Sequence, residues 1–199
     1  MWIEYLGAVD EFRLSASVAA GHLADGDLSG AESALEEMHS RSVGATDAYR
    51  KIELEGPGEI VSKGYALQGS IVNTIFELEQ ELTAARSMRV IEEAGEREQG
   101  EVPSDQDRPI AAVLSSLREL RAMDSHDPDR IEYGQQLGLQ IITLSLLSAS
   151  DASALLFTYS QQLSLSEAVE RYPHGRWLRF HEVRTDFVQA ARSHLDGSP

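Results

Sequence analysis

LSGAESALEEMHSRSVGATDAYRKIELEGPGEIVSKGYALQGSIVNTIFELEQELTAA, residues 28–85, is the stretch whose reading decides the fold. Before Gly56-Pro57-Gly58 an apolar or small series runs Leu28, Ala31, Leu35, Met38, Ser42, Ala45, Tyr49, Ile52. After it a second series runs Ile60, Gly64, Leu67, Ile71, Ile75, Leu78, Leu82, Ala85. Steps of three and four are the seam spacing of packed helices. Proline at a first helical position loses no hydrogen bond, and glycine before it permits a turn. The spacing therefore predicts two long helices hinged at Gly56-Pro57. Between Ile71 and Ile75 the heptad breaks once, which would locally relax a supercoil.

Upstream, Trp2, Tyr5, Val9, Phe12, Ala16, Ala19 and Leu23 repeat the same steps and predict a helix over 2–24. Asp25-Gly26-Asp27 ends it and supplies a cap for the next helix. So short a turn makes the first two helices antiparallel. Downstream, the helix from Pro57 is expected to end near residue 94, in the charged run Glu92, Glu93, Glu96, Arg97, Glu98. Gly95–Arg108 contains Gly100 and Pro103 and few apolar side chains, and reads as a flexible acidic linker. Pro109 starts a helix with Asp107 or Arg108 at its cap and one face of Ile110, Val113, Leu114, Leu117 and Leu120. Asp127 caps a Pro-initiated helix over 128–149, apolar nearly all round and hence central to the second half. Ser150 or Asp151 restarts a helix to about Leu163. Ser164 with Glu167 forms a capping box for a short helix ending near Tyr172. Pro173-His174-Gly175 breaks the chain before a last helix over 176–195, with Trp177, Phe180, Phe187, Ala191 and Leu195 inward. The expected fold is all-α, a bundle of long antiparallel helices, about seven or eight, with coiled-coil-like packing in the N-terminal half. The expected organisation is 1–94, a linker at 95–108, and a second helical half at 109–196 packing on the first.

The chain has 199 residues, 42% apolar and 25% charged, enough to bury a sizeable core. Its formal net charge of −16 disfavours whole-surface binding to nucleic acid or anionic lipid. There is no cysteine, which excludes disulfides, thiolate metal sites and cysteine nucleophiles. No apolar run is long enough to span a bilayer, and no cleavable signal is visible. These features point to a cytoplasmic protein. The helical register already present at Trp2, without a cap before it, fits either a ragged start or a helix continuing upstream.

A search for chemistry finds little. Glu36 and His39, with Glu32 one turn earlier, form one Glu-x-x-His motif, but no second copy completes a di-metal site. Glu77 and Glu81 share a face without a histidine. No serine sits in a nucleophile elbow. His126 beside Asp127 is a dyad only on paper, since Asp127 is better employed as a cap. Gly134 and Gly138, inside a helix, speak for close helix contact rather than for nucleotide binding. Neither a catalytic set, a metal site nor a cofactor is expected. The C-terminal helix is the exception to the acidic balance: Arg171, Arg176, Arg179, Arg184 and Arg192 with His174, His181 and His194. Arg176, Arg179, His181 and Arg184 are the candidate contacts for an anionic partner. The competing reading pairs them with the chain's own carboxylates.

Tyr49-Arg50-Lys51-Ile52-Glu53-Leu54-Glu55-Gly56-Pro57-Gly58-Glu59-Ile60-Val61 resembles a pattern in uncharacterised helical proteins of actinobacteria. There a Leu-x-Gly-Pro turn joins two helices. Phe187-Val188-Gln189-Ala190-Ala191-Arg192-Ser193-His194-Leu195 resembles their closing helix. The resemblance implies an all-helical architecture, no particular activity, and a membrane tether upstream. Two functional readings follow. The first is a non-enzymatic interaction or scaffold module whose partner is a protein or a second copy, because an exposed seam seeks another helix. The second is a small-molecule sensor with a pocket between the helical halves, bordered by the glycines of the 128–149 helix.

Overall fold

The computed structural model describes residues 1–101, 108–124, 127–160 and 175–197, except the side chains of 100, 101, 160 and 175–178. It is all-α. The described residues form α1 (Trp2–Ala24), α2 (Leu28–Glu55), α3 (Gly58–Glu101), α4 (Pro109–Ala122), α5 (Arg130–Thr143), α6 (Ala149–Ser160) and α7 (Gly175–Leu195). The short helix expected to end near Tyr172, with its Ser164/Glu167 box, lies outside the described residues.

Two compact units emerge. The first holds α1, α2, α3 as far as Glu79, and α7. The second holds the rest of α3 with α4, α5 and α6. The division falls between Glu79 and Gln80, inside a continuous helix, and not at the composition break of 95–108. The expected second half is likewise divided, because α7 joins the first unit.

In the first unit the predicted seams are the buried rows. Tyr5, Val9, Phe12, Ala16, Ala19 and Leu23 of α1 are all buried. Gly26, at φ +73°, makes the turn a β-carbon would resist, and the Asp27 side chain accepts from the Gly30 N–H at 3.0 Å, capping α2. Ion pairs from Glu4 to Lys51 and Glu11 to Arg41 set the start of α1 against the end of α2, as antiparallel packing requires. Buried Ala31, Ala34, Ala45 and Ala48 let the α2 backbone lie close to its neighbours. On α3 the seam passes from Ile71 to Thr74 to Leu78, without the expected break at Ile75. Thr74 fits that polar step because its hydroxyl donates to the Ser70 carbonyl at 2.8 Å.

Aromatic contacts tie α7 in. Tyr5 meets Phe187 edge-on at 5.2 Å, and Phe12 stacks on Phe180 at 6.2 Å. Phe180, Phe187 and Ala191 are inward as expected. Leu195 is not: it is 73% exposed, one residue before the helix gives way to the turn at Asp196. A polar layer crosses this core. The Tyr5 hydroxyl donates to the Gly64 carbonyl at 3.1 Å and accepts from Gln68 at 3.2 Å. Gln68 also donates to the Ala45 carbonyl and accepts from Thr46. Every member is engaged, so the layer fixes the register of α1, α2 and α3. Gly64 has to be glycine here, since a β-carbon would sit 2.7 Å from the Tyr49 ring.

In the second unit α3 runs on to Glu101, past the predicted end at 94. Two tertiary contacts carry it. Leu114 packs over Gly95, and the Glu98 carboxylate accepts from the Ile110 and Ala111 N–H groups at 3.2 and 3.1 Å. Glu98 thus caps α4 in place of Arg108, whose side chain makes no cap bond. Residues 102–107 of the expected linker lie outside the described residues. The core joins Ala84 and Ile91 of α3 to Val113, Leu117, Leu120, Leu137, Ile141, Ala152 and Leu155. The helix expected over 128–149 is shorter: α5 ends at Thr143, and Ser145 turns the chain at φ +54°. The helix expected to restart at Ser150 or Asp151 is α6, which Ser148 caps by accepting from the Asp151 N–H at 3.1 Å. Nor is α5 buried all round: Ile131 and Leu139 lie largely in solvent.

Candidate functional site

The predicted anionic-partner residues do not form one free cluster. Arg184 closes a bidentate pair on Asp10 of α1, at 2.9 and 2.7 Å, and so serves the fold. Arg179 and His181 are exposed, and the Arg176 side chain lies outside the described residues. The Glu36–His39 motif is likewise drawn into packing: His39 Nε2 is 2.9 Å from Glu79 on α3. Among the described residues no three metal-ligating side chains converge. His126 lies outside the described residues, and the Asp127 carboxylate accepts from the Asp129 N–H at 3.0 Å in a local turn.

Two other features are left. The first is a face of α3 in the first unit. Between Lys63 and Glu77 the sequence carries no charged residue. On this stretch the buried row uses Gly64, Leu67, Ile71 and Thr74. The opposite row, Tyr65, Gly69, Val72 and Phe76, keeps seam spacing yet faces solvent, with Tyr65, Val72 and Phe76 at 73, 62 and 54% exposure. Ala66 and Asn73 beside them are small and exposed. Gly69 has open space where a β-carbon would stand.

The second is an open cavity of about 610 Å³ in the second unit, lined by residues of α5 and α6, Arg130 among them, together with Leu120. Gly134 and Gly138 form part of its wall, and a β-carbon at Gly138 would press on Leu156 at 2.8 Å. Gly138 thus serves close helix contact, as expected, whereas a β-carbon at Gly134 would meet Leu120 only at 3.9 Å. Its mouth carries Ile131, Leu139 and Phe157, all exposed.

Arg130 is the unusual group. It is the first residue of α5 and only 5% exposed. A cation at a helix N-terminus opposes the macrodipole, so the side chain is held there by something else. One terminal nitrogen donates to the Met123 carbonyl at 2.7 Å, where α4 ends. The other donates to the Tyr159 carbonyl at 3.1 Å, in the last turn of α6 as described. Carbonyls at helix C-termini carry partial negative charge, which offsets part of the buried cation. Arg130 forms no ion pair with a carboxylate among the described residues, and its Nε has no hydrogen-bond partner. An unmade bond to a buried donor costs about 1–3 kcal/mol. Nearby, Tyr159 carries the Arg121 guanidinium over its ring at 6.0 Å, and burial raises its phenol pKa above the usual value.

In the sequence Arg130 stands among Asp127, Asp129 and Glu132 and reads as one more charge at an exposed helix start. A cation at the first position of a helix was the available signal. The exposed α3 face was legible as a second apolar row, yet burial alone decides which row faces inward.

No helix among the described residues is long and apolar enough to cross a membrane. Comparison with protein-family models, curated proteins and solved structures gives no match for this chain.

Proposed function

We propose that this chain is a non-enzymatic helical interaction module that associates with a second copy of itself through the α3 face from Tyr65 to Phe76. The observation that carries the reading is the uncharged, seam-spaced, solvent-facing row of Tyr65, Gly69, Val72 and Phe76. Interface cores are depleted of charge and enriched in aromatic side chains. In a chain of net charge −16, two copies repel over most of their surface, and a neutral patch is where they can meet. An antiparallel pairing of α3 about a two-fold axis midway between Gly69 and Val72 sets Tyr65 of one copy beside Phe76 of the other, and Gly69 beside Val72. The glycine and its small neighbours let the backbones approach.

Light scattering coupled to size exclusion tests this. The wild type is expected to shift from monomer to dimer as concentration rises. Phe76→Glu with Val72→Glu is expected to stay monomeric with stability changed by no more than about 0.5 kcal/mol, as for surface substitutions. Gly69→Gln sharpens the test. It raises helix propensity by up to about 1 kcal/mol, stabilising the monomer, while blocking the close approach. A wild type that is monomeric at every concentration overturns the reading.

A further inference from the structure

We infer that the α5–α6 cavity binds a small monocarboxylate with an apolar tail, the carboxylate seated on Arg130 and the tail lying against Ile131, Leu139 and Phe157. This is separate from the α3 face and stands without it.

The chemistry follows from the lining. Among the described residues Arg130 is the cavity's sole ionisable lining residue, and Gln135 and Ser153 are its other polar side chains. One fixed positive charge is balanced by one negative charge. A dianionic phosphate would leave charge over in an apolar surround, and a neutral or cationic amphiphile would leave Arg130 as it stands. Guanidinium takes carboxylate in a two-pronged hydrogen bond. Here the edge carrying Nε is the one without a partner, while the terminal nitrogens are anchored to Met123 and Tyr159. Nε is sealed from water in the free protein, so a small rotation of the side chain must turn that edge to the ligand. The remaining walls are aliphatic or aromatic, and about 610 Å³ lies within the size range of small-molecule sites. The exposed mouth residues would gain cover from the tail.

The test uses the full-length chain and decanoate, with decanol and decylamine as matched controls, by isothermal titration calorimetry below micelle-forming concentrations. It is run in the Phe76→Glu background, so that neither self-association nor adsorption to the α3 face contributes. Decanoate is expected to bind with one-to-one stoichiometry, and the two controls at least about 10-fold more weakly, the worth of a charge-assisted hydrogen bond. Arg130→Met is expected to lose decanoate affinity by about 10- to 100-fold. Because that variant also takes a donor from the Met123 and Tyr159 carbonyls, Gly134→Leu gives an independent readout. A β-carbon at Gly134 meets Leu120 no closer than 3.9 Å, so the leucine fills the cavity without a clash at its base. It should abolish binding while the melting temperature holds or rises. Decanol binding as tightly as decanoate, undiminished decanoate binding in Gly134→Leu, or no decanoate binding at all would each overturn the inference.

Discussion

The two units of this chain are built from the same secondary structure and finished differently. The first is closed by long rows meeting over their full length, with aromatic rings and a fully bonded Tyr5–Gln68–Thr46 layer at its centre. The second is held by the end of α3 and three short helices around a core of aliphatic side chains and alanine, with Ser87 and Arg130 also buried, and leaves an open cavity with Arg130 among its lining residues. In the first unit the Tyr5, Gln68 and Thr46 side chains find partners across the seam, although Trp2 Nε1 at the start of α1 does not. Where short helices meet at their ends, a donor such as Arg130 Nε goes without one. The contrast leaves an exposed apolar row on α3 in the first unit and an open cavity in the second.

The sharpest way to break this comparison is Phe187→Ala. It removes a fully buried ring that meets Tyr5, at an expected cost of about 3–5 kcal/mol. Hydrogen exchange should show lost protection in α1, α2 and α7 while the amides of α4 to α6 keep theirs. Uniform loss would mean that the two units unfold as one body. Next in size is Tyr5→Phe, which leaves Gln68 and the Gly64 carbonyl each short of a partner. About 1–2 kcal/mol should be lost in denaturant titration. A neutral outcome would demote the polar layer from organiser to passenger. Burial pushes the Tyr5 phenol well above its ordinary range, so that contribution should not vary with pH through neutrality and mild alkali.

The smallest effect is expected at the α1–α2 turn. The Gly30 N–H, with a lesser contribution from His22, holds the Asp27 carboxyl below the usual carboxylate range. A carboxylate with a depressed native pKa stabilises above its unfolded value, and the benefit fades as pH falls through the native one. Asp27→Ala should therefore lower the melting temperature slightly at neutral pH. Once acid has protonated the carboxyl, the variant and the wild type should melt together. A difference that persists in acid would show that the cap does not work through the carboxylate.

Much of the architecture was readable from spacing alone. Tyr5, Phe12, Ile60, Leu67, Phe180 and Phe187 sit inward because their three-and-four steps put them on one helical face. The same periodicity did not reveal the two rows of α3 as rivals, since both obey it. Nor did composition foresee that Gly95 and Glu98 would be recruited to hold α4. Their charge-rich neighbourhood reads as loop until Leu114 covers it.

By itself the sequence determined the all-helical character, the α1–α2 turn, the cap at Asp27 and the inward rows of the first unit. These depend on residues within a turn or two of one another. Only the tertiary structure decided that Arg184 belongs to Asp10, that α5 stops at Thr143 with a turn at Ser145 instead of running to 149, and that Arg130 is buried against two helix ends. Those outcomes rest on partners distant in sequence, or on a backbone angle that neighbouring side chains leave open. Hydrogen bonding and desolvation settle them only once the helices have packed.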